Sequence, residues 1–326
     1  MRTTALRISV LAASIGISLI ASLTTAAADA WPQRPVRVIV PFGSGIATDF
    51  TARLFAERLA EHWKQPVVVE NRPGADGMIG VNAFVAMRDD HSLLFSFAAP
   101  ISLWPMLYEK LAYDPARDLV SIAAAADNFL SVTASASLNV GSLGELVTLA
   151  RSQPGKLNYN AAAGALPYLF AGFLKSAGLD MVLVSYREFN LAYQDLAEGR
   201  LQVVLSTMGS MLPYVQAKKV RSIAVTNKTR PPIAPEVPTA VEAGYPALAF
   251  EGLVGFFGPR NMPPERRDRI AADVRAVAAE PAIADRLATI GQVARGNTPA
   301  EFAAAIEEQR VKLAAMVKLI DAKPTQ

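Results

Sequence analysis

Short unbroken apolar runs alternate with helical patterns along most of this 326-residue chain. The runs predict buried strands at 36–40, 67–70, 93–97, 181–184, 203–205, 223–225 and 253–257. The helical patterns cover 50–63, 143–151, 167–177, 191–198, 264–278 and 299–319. Strands that are apolar on both faces and alternate with helices are typical of parallel sheets covered by helices on both sides. The sequence therefore predicts an α/β fold, and its length favours two lobes.

The first residues have the three parts of a secretory signal peptide. A basic N-terminal region precedes an apolar run from Ile8 to about Leu23, and Ala28-Asp29-Ala30 forms an A-x-A cleavage site. The alternative is a membrane anchor, but the run is shorter than the ~20 residues that a spanning helix needs. We therefore expect residues 1–30 to be removed on export and the mature chain, from Trp31 onward, to be soluble.

The composition excludes several classes of site. The chain has no cysteine, which removes disulfides, thiol nucleophiles and thiolate metal sites. Its net charge of +3 is too small to indicate nucleic-acid binding. The two histidines, His62 and His91, are expected to face solvent, and they form no H-E-x-x-H motif. The sequence also contains no Walker loop and no G-x-G-x-x-G motif, so neither a metal nor a nucleotide cofactor is expected.

The segment PFGSGIATD at 41–49 links the first predicted strand to the first helix. Small residues in such a loop point backbone N–H groups and a helix N-terminus at one place, which suits an anion. Thr48 or Asp49 is expected to cap the helix. Ser44 lies where a hydrolase nucleophile would sit, but its surroundings are not the G-x-S-x-G elbow. Since capping also explains Asp49 better than general-base chemistry does, no catalytic residue is predicted and the chain is not expected to be an enzyme.

Several blocks, in order along the whole mature chain, resemble the substrate-binding proteins of tripartite tricarboxylate transporters, also called the Bug family. They are WPQRPVRVIVPF at 31–42, QPVVVENRPGADGMIG at 65–80, YDPARDL at 113–119, PGKLNY at 154–159, IAVT at 223–226 and PEVPTAVEAG at 235–244. The block at 65–80 is the most specific of them. Because the blocks keep the order of the family, chance similarity is a poor explanation.

This resemblance implies a fold like that of type II periplasmic binding proteins, with two α/β lobes and a ligand cleft between them. Lobe 1 would comprise residues 31–130 and 250–326, and lobe 2 residues 131–249, after a signal peptide at 1–30. Such a protein works in the periplasm as a monomer. It closes over a small organic carboxylate, such as a dicarboxylate, a tricarboxylate or an aromatic carboxylate. It then delivers that ligand to the large and small membrane subunits of the transporter.

A second interpretation of the same fold is a receptor that signals the presence of a ligand to a membrane sensor, without transport. Neighbouring genes would distinguish the two, because transport requires both membrane subunits.

The ligand-binding residues implied by the resemblance lie after strand ends, because open α/β sheets bind ligands at the carboxyl ends of their strands. The first lobe would supply Phe42, Gly43, Ser44, Gly45, Ile46, Thr48, Asp49, Ala98 and Ala99. The second lobe would supply Ala162, Ala163, Gly164, Tyr168, Tyr186 and Phe189.

Some of these positions depart from the pattern of the family. Ile46 and Ala47 replace glycines of the first loop, and the segment AGALPY at 163–168 lacks a usual hydroxyl and a usual histidine. Phe189 stands where a glycine is usual. Two interpretations follow from these differences. Either the cleft is adapted to a more apolar or aromatic carboxylate, with Phe42, Tyr168, Tyr186 and Phe189 as walls, or the usual ligand has been lost.

Overall fold

The protein forms two sheets, each covered by helices, in a computed structural model that describes residues 31–186 and 188–323. The residues from Pro35 onward form one compact unit. The expected signal peptide at 1–30 lies outside the described residues. The strands are β1 Val36–Val40, β2 Val67–Asn71, β3 Ser92–Phe97, β4 Leu119–Asn128, β5 Leu130–Ser135, β6 Asn158–Ala161, β7 Val182–Leu183, β8 Val203–Thr207, β9 Val220–Val225, β10 Gly252–Pro259 and β11 Gln292–Ala294.

The helices cover both faces of the sheets. They are α1 Ala47–Trp63, α2 Met78–Met87, α3 Ala99–Ser102, α4 Trp104–Leu107, α5 Pro115–Asp118, α6 Leu143–Ser152, α7 Leu166–Ser176, α8 Phe189–Ala197, α9 Met208–Gln216, α10 Pro264–Ala278, α11 Pro281–Ala288 and α12 Pro299–Leu319. Short 3₁₀ turns include Ala75–Gly77, which follows β2. Within the described part of the chain, no helix is both long and apolar enough to cross a membrane.

The first lobe is built on a six-stranded sheet in the order β11-β4-β10-β3-β1-β2. Strand β1 is parallel to both β2 and β3, whereas β10 runs antiparallel to β3 and β4. The second lobe is built on a five-stranded sheet in the order β7-β6-β8-β5-β9. There β6 is parallel to β7 and β8, and β5 is antiparallel to β8 and β9.

Both sheets are therefore mixed: the expected parallel pairs are present, but antiparallel pairs lie beside them and correct the expectation of parallel sheets. The strands that take part in antiparallel pairs are β3, β4, β10 and β11 in the first sheet and β5, β8 and β9 in the second. Four of these, β4, β5, β9 and β10, lead the chain from one sheet to the other. Alternating strands and helices give parallel pairs through crossover helices, but a chain that passes directly into a second sheet needs no such helix.

The chain passes between the lobes twice, once between β4 and β5 and once between β9 and β10. Phe129 is the only residue between β4 and β5. On the return path, the N–H of Phe250 donates to the carbonyl of Thr226 (2.7 Å), and the Thr226 hydroxyl donates to the carbonyl of Phe250 (2.7 Å). These bonds join the two ends of the segment between β9 and β10. The N–H of Thr226 also donates to the carbonyl of Leu130 (2.8 Å), so this segment lies beside the first link.

Helix α12 contacts the cores of both lobes. Phe302 and Ile306 belong to a buried cluster with β1, β3 and β10, whereas Leu313 belongs to the large cluster of the second lobe. A Cβ placed on Gly172 of α7 would lie 2.3 Å from the sulfur of Met316, so only a glycine permits this approach. The end of the helix is thereby packed against the second lobe.

Candidate ligand-binding cleft

The loop after β1 is held by a carboxylate rather than by a helix cap. Helix α1 begins at Ala47, its N-cap is Ile46, and the side chain of Ile46 makes no capping hydrogen bond. Asp49 lies within the first turn, where its Oδ2 accepts a hydrogen bond from the N–H of Gly45 (2.9 Å). The prediction that Thr48 or Asp49 is the N-cap was therefore wrong by two or three residues. The reason is that Asp49 reaches back to the loop from inside the helix.

Two further side chains fix Asp49. Arg53 Nη2 lies 3.0 Å from Asp49 Oδ1, and Asn71 Nδ2 donates to the same oxygen (2.8 Å). Burial raises the pKa of Asp49, but the hydrogen bonds from Arg53, Gly45 and Asn71 together outweigh that effect and leave the pKa below its ordinary value. Asn71 also donates to the carbonyl of Phe42 (3.1 Å). Asp49 is thus an ionised anchor of the loop, and its charge is balanced by Arg53.

The loop after β6 in the second lobe is similar in design. Helix α7 begins at Leu166, its N-cap is Ala165, and no side chain among the described residues caps it. Gly164 has φ +82°, a conformation that an L side chain rarely adopts. The first turns of α1 and α7 therefore both present backbone N–H groups without side-chain acceptors, which is the arrangement that binds an anion at a helix N-terminus.

The two loops meet across the boundary between the lobes. The rings of Phe42 and Phe97 are stacked, with centroids 4.1 Å apart and an interplanar angle of 12°. A Cβ on Gly164 would lie 3.3 Å from the ring of Phe97 and 3.9 Å from the Cβ of Ala99. Residues from the carboxyl ends of β1, β3 and β6 thus converge on one place.

The other predicted site residues differ in their exposure to solvent and in where they lie in the structure. Ser44, Gly45, Ile46 and Ala163 are exposed, Gly43, Ala162 and Tyr168 are half-buried, and Thr48 and Ala98 are buried. Tyr186 and Phe189 pack instead against a core cluster under α8 that contains Tyr193 and Leu196. The hydroxyl of Tyr186 donates to Asp195 (2.7 Å), and burial together with this bond raises the pKa of Tyr186 to about 12. A ligand-binding role for these two aromatic residues remains a prediction.

Sequence reasoning misses several residues around the same place. In the sequence, Phe97 is only the end of a predicted strand, and Asn71 is only part of a family block. Trp104 of α4 donates from Nε1 to the backbone carbonyl of Asp76 (3.0 Å), and the Tyr108 ring meets the Trp104 ring edge to face with centroids 5.9 Å apart. The sequence does contain one signal for these residues: Trp104 and Tyr108 follow shortly after Ala98 and Ala99, which are predicted to bind the ligand.

Comparison with known proteins decides the family. Residues 51–321 match the family model described as "Tripartite tricarboxylate transporter family receptor". The protein belongs to this receptor family. The family consists of receptors rather than enzymes, in agreement with the expectation from the sequence. The resemblance found in the sequence is thereby confirmed, and so is the two-lobed α/β fold.

Several relatives resemble this receptor over most of their length. The UPF0065 protein in the tcbD-tcbE intergenic region of Pseudomonas sp. strain P51 is 31% identical over 292 residues, covering 88% of this chain and 87% of the relative. The structure of R. palustris Rpa4515 with adipate is 28% identical, with a TM-score of 0.79, covering 90% of this chain and 100% of the other. The structure of MatC from Rhodopseudomonas palustris with bound malate is 25% identical, with a TM-score of 0.74, and the match covers 89% of this chain and 100% of the other.

One cluster of acidic residues and histidine outside the cleft has the composition of a metal site. Asp89, Asp90 and His91 place ligand atoms within 4.8 Å of one another. However, Arg37 pairs with Asp89 (2.8 Å) and Arg266 with Asp90 (3.2 Å), so arginines already balance these carboxylates. His91 is only 7% exposed, which corrects the expectation that it faces solvent. Its Nδ1 lies 2.7 Å from Asp90 Oδ1, and this contact replaces water at the buried ring.

Proposed function

We propose that this receptor captures a small organic carboxylate in the cleft between its lobes and delivers it to a tripartite tricarboxylate-type membrane transporter. One observation carries the proposal: the loops leading into α1 and α7, in different lobes, both reach the ring of Phe97, through Phe42 and Gly164 respectively. A ligand held there would contact both lobes and stabilise their closure.

The donors that the described loops offer to a ligand are the neutral backbone N–H groups at the starts of α1 and α7. Helix N-termini stabilise a carboxylate through oriented N–H groups, and Arg53 of α1 is already paired with Asp49. The stacked rings of Phe42 and Phe97 supply an apolar wall beside these donors. This combination fits a carboxylate attached to a hydrocarbon or aromatic segment. That adipate and malate are bound by the two similar R. palustris proteins supports this class of ligand.

The remaining parts of the proposal concern the location of the protein in the cell, its oligomeric state, its membrane partners and the bounds of its lobes. We propose a periplasmic, monomeric receptor, exported by a signal peptide at 1–30, whose partners are the large and small membrane subunits of the transporter. Lobe 1 would comprise 31–130 and 250–326, and lobe 2 would comprise 131–249. No nucleic-acid partner is proposed.

A thermal-shift screen against aliphatic and aromatic mono-, di- and tricarboxylates tests the binding. At a ligand concentration of about 100 times Kd, binding stabilises the folded state by about 2.7 kcal/mol, which raises the Tm by roughly 5–10 °C for a chain of this size. Ser44→Asp places a negative charge on the exposed loop and is expected to abolish the shift. Thr229→Asp, on an exposed loop of the proline-rich segment, is the matched control and is expected to keep it.

The screen has two informative outcomes. A shift that Ser44→Asp removes and Thr229→Asp keeps supports the site, whereas no shift with any carboxylate would overturn the proposal. Uptake of the identified ligand by cells that lack this protein then tests delivery. Unchanged uptake together with retained binding would favour the signalling role instead.

A further inference from the structure

Three polar groups converge at the cleft without partners of their own. They are the carboxylate of Asp76, on the 3₁₀ turn Ala75–Gly77, and the hydroxyls of Tyr108 and Tyr168. None of the three accepts or donates a side-chain hydrogen bond with another residue in the described ranges 31–186 and 188–323. The carboxylate is exposed, whereas both tyrosines are half-buried.

The backbone around Asp76 is fixed. Its carbonyl accepts the hydrogen bond from Trp104 Nε1, and Trp104 in turn packs against the ring of Tyr108. The adjacent Gly77 lies against Phe42, since a Cβ there would be 2.7 Å from the Phe42 ring. The Asp76 turn is therefore continuous with the Phe42–Phe97 wall of the proposed carboxylate site.

Tyr168 reaches the same place from the other lobe. It lies in the first turn of α7, four residues after Gly164, which approaches Phe97 and Ala99. Trp104 of α4 and Leu166 of α7 belong to one buried cluster, and both Tyr108 and Tyr168 pack against that cluster. Burial raises the pKa of Tyr168, and the nearby Tyr108 and Asp76 raise it further. Burial and Asp76 likewise raise the pKa of Tyr108. These shifts agree with a position of both hydroxyls near the Asp76 carboxylate.

The charges nearby leave Asp76 without compensation in the described part of the cleft. Arg53 is paired with Asp49, and Arg72 is paired with Glu70 (2.6 Å). A second carboxylate of a ligand would face the negative charge of Asp76, whereas an ammonium group would be attracted by it. The two tyrosine oxygens can accept further hydrogen bonds from such a group.

We infer that Asp76, Tyr108 and Tyr168 form a subsite for a positively charged, hydrogen-bond-donating end of the ligand. The receptor then prefers a carboxylate that carries an ammonium group at its far end over a dicarboxylate of the same length. This inference rests on the proposed function, because the helix N-termini of α1 and α7 must hold the carboxylate end.

Isothermal titration calorimetry with length-matched probes tests the subsite. The pairs are succinate and γ-aminobutyrate, glutarate and δ-aminovalerate, and adipate and ε-aminocaproate. For the pair whose length fits the cleft, the amino acid is expected to bind at least about tenfold more tightly than the dicarboxylate. Asp76→Asn should remove this preference and leave the fold intact, because asparagine tolerates the left-handed conformation of Asp76 (φ 50°, ψ 35°).

Two controls separate charge from structure. Asp268→Asn removes an exposed carboxylate on α10 and should leave the preference unchanged. Tyr168→Phe keeps the ring and removes only the hydroxyl, and it should weaken δ-aminovalerate or its best-fitting homologue more than the matched dicarboxylate.

The outcomes distinguish the subsite from the proposed function. If carboxylates bind but the dicarboxylate is preferred in every pair, or if Asp76→Asn leaves the ratio of affinities unchanged, the subsite is wrong while carboxylate capture stands. If no probe binds and the wider carboxylate screen is also negative, both are wrong. A preference for the amino acid that is lost in Asp76→Asn and kept in Asp268→Asn supports the subsite.

Discussion

Asp127 is a buried carboxylate near the end of β4, three residues before β5 of the second lobe begins. It is 1% exposed, and its Oδ2 accepts a hydrogen bond from Arg295 Nε (2.5 Å). Its Oδ1 has no hydrogen-bond partner among the described residues. Burial is the main cause that raises the pKa of Asp127 to about 6, and Glu251 adds to it, while Arg295 and Lys228 act in the opposite direction.

The shift predicts a pH-dependent stability whose sign follows from linkage. The folded-state pKa of about 6 lies above the ordinary value of 3.8, so the unfolded chain releases this proton more readily. The contribution to stability is therefore fully present below about pH 4 and is lost as the pH rises through about 6. Since each unit of pKa corresponds to about 1.4 kcal/mol, the free energy of unfolding changes by about 2–3 kcal/mol across this pH range.

Urea unfolding of the native protein and of Asp127→Asn, at intervals from pH 4 to pH 7, tests this reasoning. Other carboxylates contribute equally to both proteins, so the difference between their free energies of unfolding isolates Asp127. We expect that difference to move by about 2–3 kcal/mol in favour of the native protein as the pH falls from 7 to 4. Asp268→Asn, a change on the exposed surface of α10, serves as the control. A difference that stays constant with pH for Asp127→Asn, or that moves in the opposite direction, would refute the argument.

Three other substitutions test the cleft. Asp49→Ala removes the acceptor that holds the first loop and should weaken carboxylate binding by about tenfold in calorimetry, about 1.4 kcal/mol, the size of one hydrogen bond to a charged group. Unchanged affinity would mean that the loop does not bind the ligand. Gly164→Ala adds a Cβ 3.3 Å from the Phe97 ring at a φ of +82°, and should lower the free energy of unfolding by about 1 kcal/mol in urea titrations as well as weakening binding. His62→Gln should leave ligand affinity unchanged, because His62 lies near Glu280 (3.6 Å) at the end of α1, and a large loss would reopen an enzymatic interpretation.

The regular elements that could be predicted are those whose pattern depends on near neighbours. The strand at Val36–Val40 and the helix ending at Trp63 follow from an apolar run and from a proline stop at Pro66. The alanine-rich strand β4 could not be predicted, because alanine has little preference for strands. It is a strand because β10 and β11 pair with it on either side and bury it.

The exact start of α1 shows a different limit. Capping preferences favour Thr48 or Asp49 at the N-cap, since both side chains accept hydrogen bonds from free N–H groups. In the structure Asp49 satisfies Gly45 and binds Arg53 and Asn71 at the same time. Asn71 comes from the neighbouring strand β2, and its position depends on the pairing of β1 with β2. A local rule fails here because the side chain that it describes is occupied by a tertiary contact.

The cleft itself combines positions that no local pattern connects. Phe42, Phe97 and Gly164 are far apart in the sequence, and they meet only because β1, β3 and β6 end on the same side of two sheets that the short links hold together. The sequence could identify the loops, since ligands bind after strand ends, but it could not show which residues of the two lobes come into contact.

The same reasoning applies to Asp76 and Tyr168. Asp76 lies on a turn and Tyr168 in a helix, and neither segment alone indicates a contact with a ligand. The proposed subsite requires the second lobe to bring Tyr168 close to Asp76. In the proposed subsite, the preference for a ligand with an ammonium group depends on residues of both lobes, and the charge of Asp76 is the contribution whose removal can be measured.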